Sequence, residues 1–335
     1  MIIKLRKALV YALLFAGIIM IVGLLLYSLV TYLPTYGTFN YPEYYTNNAL
    51  INKITVHNLV RPMVRDASQG FVPTTMPVYK VTTSKIDPTV IIDSEQLVTK
   101  LESSFIEEQE SYTSADEEKF LTIFSGEVPK FVLFANKGIS SGNVECGNAV
   151  PGFVSFLFPN ITLTAEEIAT GTSSCEVSIY QTLDSVKVVT KELGPLCRFF
   201  VTDKVVTRFE CSVEYLQTSE HLQYRIVSSW ENIDEIQKKH EEFTIVSYHD
   251  LHCDGEGCEE VSSASLNEVP RNMQLTTADI VYATIVKDKQ LYAMPHHRLF
   301  LNGTLRQPIG GAAPQAIPTT YYIFYPAIEF RHFIK

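Results

Sequence analysis

The sequence lacks an excess of basic residues, because its 27 Lys and Arg stand against 37 Asp and Glu. Three of the basic residues precede the first hydrophobic run, which leaves 24 beyond it and a net charge there of about −13. Surfaces that bind nucleic acid are rich in Lys and Arg. The charge balance therefore argues against a nucleic-acid partner. All eight histidines also follow the run, which provides the material for an acid-triggered switch.

The chain also lacks the Asp-x-Asp motif with which many Golgi glycosyltransferases hold a metal ion against sugar-nucleotide phosphates. Its absence leaves a metal-independent glycosyltransferase, or an esterase-like hydrolase, as the enzymatic alternatives. No internal repeat and no low-complexity linker divides the region after residue 92. No cofactor is indicated.

One long uncharged run is present, the 26 residues from 8 to 33. About 20 apolar residues cross a bilayer as a helix, whereas the apolar region of a cleavable signal peptide has about 7–15. Lys and Arg stay on the cytosolic side, and Lys4, Arg6 and Lys7 precede the run. The pattern predicts a single-pass type II protein in the lipid bilayer, with a cytosolic tail (1–7), a transmembrane signal-anchor (8–33) and a luminal, extracellular or virion-surface ectodomain.

Six cysteines, all beyond the anchor, predict disulfides in an oxidising compartment. They are Cys146, Cys175, Cys197, Cys211, Cys253 and Cys258. Asn160 and Asn302 begin Asn-x-Thr triplets and are candidate glycosylation sites of a glycoprotein.

Residues 197–211 predict a β-hairpin, because two apolar arms flank a turn at Thr202-Asp203-Lys204. Directly opposed residues of antiparallel strands have the spacing that a disulfide requires. Proximity then pairs Cys253 with Cys258 and leaves Cys146 for Cys175. Centred on Lys204, the register pairs Cys197 with Cys211, Phe199 with Phe209 and Val201 with Thr207.

The composition predicts a stem or extended segment over residues 34–92, which carry six prolines, followed by a disulfide-stapled ectodomain over residues 93–335. We expect an α+β, β-dominated fold with mostly antiparallel strands and about four short helices. Apolar stripes and capping boxes place the helices at 93–106, 114–124, 164–171 and 230–240. Runs rich in Val, Ile, Tyr, Phe and Thr place strands at 130–135, 176–181, 197–201, 205–213, 222–227, 243–248, 280–286 and 321–330.

Two patterns could carry chemistry. Ser140 lies in Gly-Ile-Ser-Ser-Gly, which matches a nucleophile elbow, but the following residues form a poor helix and favour a surface loop. His249, His252 and Asp254 are weak metal-ligand candidates, because Cys253 and Cys258 around them favour a disulfide over a zinc site.

The failure of each catalytic pattern favours a non-catalytic ectodomain. We therefore expect a protein-binding or structural subunit of a membrane or viral envelope assembly, with other membrane or envelope proteins as partners. The alternative is a type II luminal enzyme that acts on glycans or esters.

Overall fold

The computed structural model describes residues 15–24, 35–40, 75–87, 89–101, 109–126, 129–139, 152–169, 174–190, 194–227, 244–247, 251–254, 257–260, 271–307, 315–329 and 333–334. The chain divides into two compact units, Met1–Gly37 and Thr38–Lys335. In the first unit, residues 15–24 are helical. Among the described residues, none of the helices is long and apolar enough to cross a membrane.

The second unit is dominated by β-strands, as predicted. Its described helices are two short ones, Thr89–Ser94 and Gly152–Leu157. The strands are β1 (Phe39–Asn40), β2 (Thr75–Lys85), β3 (Leu97–Leu101), β4 (Gln109–Ser114), β5 (Lys119–Phe124), β6 (Lys130–Ala135), β7 (Thr162–Ala169), β8 (Ser174–Leu183), β9 (Val186–Val188), β10 (Cys197–Thr202), β11 (Val205–Ser212), β12 (Glu214–Arg225), β13 (Thr244–Ser247), β14 (Leu251–Asp254), β15 (Gly257–Glu260), β16 (Arg271–Lys287), β17 (Gln290–Gln307), β18 (Gln315–Pro326) and β19 (Phe333–Ile334).

Fifteen of these strands form one sheet. Its main path is β12-β2-β17-β16-β9-β8-β10-β11-β6-β5-β4-β3, to which β18, β13 and β7 are added at the side. The pairs are antiparallel except β9 with β16. The parallel pair β1–β19 and the antiparallel pair β14–β15 lie outside this sheet.

The Gln181 side chain on β8 connects the last strand of the path from β12 to β8 with the first. The Gln181 amide on β8 donates to the Leu216 carbonyl on β12 at 2.7 Å and accepts from the Leu216 N–H at 3.0 Å. Gln181 therefore takes the place of a neighbouring strand. The strands β12, β2, β17, β16, β9 and β8 together form what we call the strand ring.

The largest apolar core lies on one face of the sheet from β8 to β5. Its centre is the stacked pair Phe199 and Phe209, whose ring centroids are 4.6 Å apart, with Phe131 edge-on to Phe209 at 5.3 Å. The two short helices add Ile91 and Val154 to this core. Burial of such side chains is the main stabilising term of the fold.

The predicted hairpin is confirmed in its outer half. Cys197 faces Cys211 and forms a disulfide with it, and Phe199 faces Phe209. The register then shifts at a bulge between Phe200 and Val201, so that Val201 faces Val206 rather than the predicted Thr207. The shift arises because the turn contains only Asp203 and Lys204, both with positive φ, as two-residue hairpins require.

Three predicted helices are wrong. Leu97–Leu101 is β3, and residues 114–124 form the hairpin of β4 and β5. The Ser114 hydroxyl accepts from the Lys119 N–H at 3.1 Å, so the predicted capping box serves a β-turn instead. Thr162–Ala169 is β7, where Ala165 is buried in the core and the neighbouring Glu166 is not. The predicted helix at 230–240 lies outside the described residues.

Two long strands occupy segments for which the sequence predicts no strand. Thr75–Lys85, from the predicted stem or extended segment, is β2 and pairs with β12 and β17. Gln290–Gln307 is β17, which pairs with β16, β18 and β2. The Pro-, Gly- and Ala-rich composition of residues 307–318 predicts a long loop; 308–314 lie outside the described residues, whereas 315–318 belong to β18.

Candidate interaction surface

The candidate catalytic and metal residues are only partly described. Ser140 and His249 lie outside the described residues, while Gly138 has φ +91° in a turn after β6. His252 and Asp254 lie on β14, where Cys253 is the register partner of Cys258. In the part of the chain that the structure describes, no three His, Cys, Asp or Glu side chains form a group that could hold a metal ion.

The remaining predicted sites are placed differently from one another. Asn160 is exposed in the turn that follows the helix Gly152–Leu157. Asn302 lies within β17, opposite Gln274 on β16 and Thr320 on β18. Cys175 is disulfide-bonded, and Cys146 lies outside the described residues, so the predicted pairing of the two remains a prediction.

Opposite the main core, the sheet presents an aromatic face that the sequence analysis did not identify. Phe120 on β5 is 38% exposed and faces Phe134 on β6, which is 46% exposed. Phe134 faces Arg208 on β11, and Arg208 faces Phe200 on β10. These four cross-strand neighbours form what we call the aromatic row.

Arg208 contacts two of the three rings of the row, Phe134 and Phe200. The guanidinium carbon lies 5.3 Å from the centre of the Phe134 ring and 5.2 Å from that of Phe200, within the range of cation–π attraction. The Nη2 group donates to Glu210 at 3.0 Å, and Lys130 Nζ donates to the same carboxylate at 3.1 Å. The row is therefore a preorganised surface of two aromatic rings around a fixed cation, next to a carboxylate.

The surface beside the row is mixed. In the next register position, Leu101 on β3 is 39% exposed, but the line continues through the polar Ser111 and Thr122 to Val132 on β6, which is buried. Val98, also on β3, is 69% exposed. On these described strands, the exposed apolar area therefore lies in the aromatic row and in two side chains of β3.

A cluster of polar side chains on β17 is buried, in contrast to the exposed aromatic row. His296, His297 and Arg298 are consecutive on β17 and are 0%, 2% and 3% exposed. Arg298 donates to both carboxylate oxygens of Asp279, at 2.9 and 2.5 Å, and to the Tyr180 hydroxyl at 3.3 Å. Burial raises the pKa of Tyr180, so the phenol stays protonated. The cluster is an internally satisfied network.

A small cavity of about 40 Å³ lies beside Gln181 in the strand ring. A site for one water needs about 10–15 Å³, so this volume admits a few waters and not a cofactor. Its wall is mostly apolar and includes Thr83, Gln181, Val188, Thr284, Leu216 and Leu291. The cavity is thus too small to hold a cofactor.

Of these three features, the aromatic row, the buried cluster on β17 and the cavity, only the aromatic row is exposed to a macromolecule. Alternation along β5, β6 and β11 could have indicated which side chains point away from the core. The register that places the four side chains side by side was not available from the sequence.

Comparison with known proteins adds little. No protein-family model and no curated protein sequence matches the chain. Among solved structures, it is similar to the crystal structure of an uncharacterized protein from Eubacterium rectale ATCC 33656, with 8% identity and a TM-score of 0.45. That match covers 76% of this chain and 85% of the other. At this level the likeness supports no argument about function.

Proposed function

We propose that this chain is a membrane-anchored, non-catalytic protein whose second unit binds another protein through the aromatic row, as a subunit of a membrane or envelope assembly. The observation that carries the proposal is the exposure of Phe120 and Phe134 beside an arginine fixed between two rings. Aromatic residues and arginine are enriched at the centres of protein interfaces, where they contribute most of the binding energy.

The composition of the face favours a protein partner. The rings offer apolar area, while the Glu210 carboxylate neutralises part of the charge of Arg208 and Lys130. A surface for nucleic acid would instead carry unpaired basic groups. The strands beneath the row are part of the sheet, so little conformational entropy is lost when it binds.

Membrane anchoring by residues 8–33, with the N-terminus in the cytosol, belongs to the proposal. It is supported by the absence of charge in this run and by the apolar side chains exposed along the helical residues 15–24, which are Phe15, Ile18, Ile19, Met20, Ile21, Val22 and Leu24. Tags at Met1 and Lys335 should be accessible from opposite sides of sealed vesicles. Accessibility from one side would contradict the single span.

Mutation of the row should remove the partner. We expect Phe120→Ser with Phe134→Ser to lower partner occupancy at least tenfold in complexes extracted from native membranes, because both rings would lose their buried contact with it. Occupancy is measured by native mass spectrometry of the full-length protein. Val286→Ser is the matched control, since Val286 is 66% exposed on β16 and lies outside the row.

Retention of the partner by the double variant would contradict the proposal, as would loss of the partner from the Val286→Ser control to the same extent. Saturable thermal stabilisation by a sugar nucleotide or an ester analogue would instead support a luminal enzyme.

A further inference from the structure

Two adjacent histidines on β17 hold backbone carbonyls inside the protein. His296 Nδ1 lies 2.9 Å from the Met294 carbonyl, and His297 Nε2 lies 2.8 Å from the Val227 carbonyl. Because a carbonyl can only accept, each of these nitrogens carries a proton. The neutral histidines are therefore fixed as opposite tautomers.

The His297 contact lies where three segments meet. The Val227 N–H donates to the Ala327 carbonyl at 2.8 Å, and the Ala327 N–H donates to the Pro295 carbonyl at 2.9 Å. Ile226 also forms an isolated bridge with Ile328. We call these contacts, with the two histidines, the His junction; it attaches the end of β12 and residues 327–328 to β17.

The charges around the junction are already paired. Arg298 follows the pair on the same strand, and its counter-ion Asp279 on β16 already accepts two hydrogen bonds from it. On the remaining described elements, the titratable or charged groups are Tyr180 on β8, which binds Arg298, Glu166 on β7, which lies 4.0 Å from Arg298, and Arg225, which pairs with Glu329 at 3.4 Å. Protonation of both rings would place three consecutive cations near two carboxylates that are already paired, Asp279 with Arg298 and Glu166 with Lys187 at 2.8 Å.

Burial acts in the same direction. It lowers the pKa of His296 to about 4, an effect that the neighbouring His297 reinforces and the Met294 carbonyl opposes. Burial also lowers the pKa of His297, against the Val227 carbonyl and the charge of Asp279. A solvated histidine titrates near 6.5, so an opened junction binds protons that the closed junction rejects.

We propose that the His junction opens in response to acid. Proton uptake by His296 and His297 detaches the end of β12 and residues 327–328 from β17 while the rest of the sheet stays folded. Acidification thereby separates Val227 and Ala327 from β17. This inference is independent of the proposed binding function, because it concerns different residues and a different readout.

Hydrogen exchange at the Val227 and Ala327 amides of the full-length protein measures how opening of the His junction depends on pH, after correction for the intrinsic exchange rate. Uptake of two protons should raise the opening constant by up to about a hundredfold per pH unit between pH 6 and 5. His297→Gln and His296→Asn retain a donor near the original nitrogen but cannot titrate. Each should reduce the dependence to about tenfold per unit, and the double variant should abolish it.

His221→Gln is the matched control, because His221 is exposed and lies on the strand that ends at the junction; its pH dependence should equal that of the natural chain. A pH-independent opening constant would contradict the proposed acid-induced opening of the His junction. So would exchange of the β8 amides in parallel with Val227, because acid would then unfold the whole sheet.

Discussion

Replacement of Gln181 by leucine is expected to lower the free energy of unfolding by about 2–6 kcal/mol. Each buried backbone group left without a hydrogen bond costs about 1–3 kcal/mol, and this change leaves two, the N–H and the carbonyl of Leu216. Gln181 is 4% exposed, so bulk water does not reach its position, and a water held in the adjoining cavity would have to satisfy both groups of Leu216. The strand ring would then be open between β8 and β12.

Urea denaturation of the two proteins measures this difference. Gln217→Leu is the control, because Gln217 is exposed and follows Leu216 on β12. A surface substitution of this kind changes stability by no more than about 0.5 kcal/mol. If both variants lost the same stability, the role of Gln181 as a substitute strand would be refuted.

The second large effect is expected for Asp279→Ala, at about 2–4 kcal/mol of lost stability. The change removes two charged hydrogen bonds from Arg298, which is 3% exposed, although Asp279 is itself 35% exposed and Glu166 remains 4.0 Å from the guanidinium. Burial acts to lower the pKa of Arg298, but the hydrogen bonds and charge of Asp279 outweigh it and raise the pKa above its ordinary value. The guanidinium therefore stays charged at neutral pH and depends on this carboxylate.

A double-mutant cycle separates the pair from its surroundings. Adding Arg298→Met to Asp279→Ala should recover at least half of the loss, because no buried charge then remains. The control is Glu220→Ala, which breaks an exposed pair with Lys80 at 2.9 Å and should cost at most about 1 kcal/mol. Equal losses for Asp279→Ala and Glu220→Ala would contradict the buried network.

The β10–β11 hairpin was predictable because all its determinants are local. The turn, the Phe199–Phe209 pair and the two cysteines lie within 15 residues; the two pairs share one register, and the two-residue turn shifts it by one at the bulge. The helix predictions at 93–106, 114–124 and 164–171 were wrong for a related reason. A short apolar stripe fits a strand as well as a helix, and the side-chain hydrogen bonds of Ser114 can close a β-turn as readily as a helix end.

Long-range pairing explains what was missed. β17 contains Pro295 and Gly303 and a run of His-His-Arg, a composition that argues against an internal strand. It is tolerated because the network around Arg298 satisfies the polar groups and the Pro295 carbonyl binds Ala327. Gln181 gives no local sign of its role, since Leu216 lies 35 residues further along the chain.

The aromatic row was unpredictable for the same reason. Its side chains come from β5, β6, β11 and β10, and only the register of these strands brings them together. Within each strand, alternation indicates an outward position but not its neighbours across the sheet.

Site-specific photo-cross-linking measures whether the aromatic row binds a protein. A benzoylphenylalanine placed at position 120 or 134 of the full-length protein in native membranes reports what touches the aromatic row. We expect one protein adduct of the same mass from both positions, and none from positions 217 and 286, which are exposed outside the row. Absence of an adduct at both row positions, or equal labelling at all four, would contradict protein binding by the row.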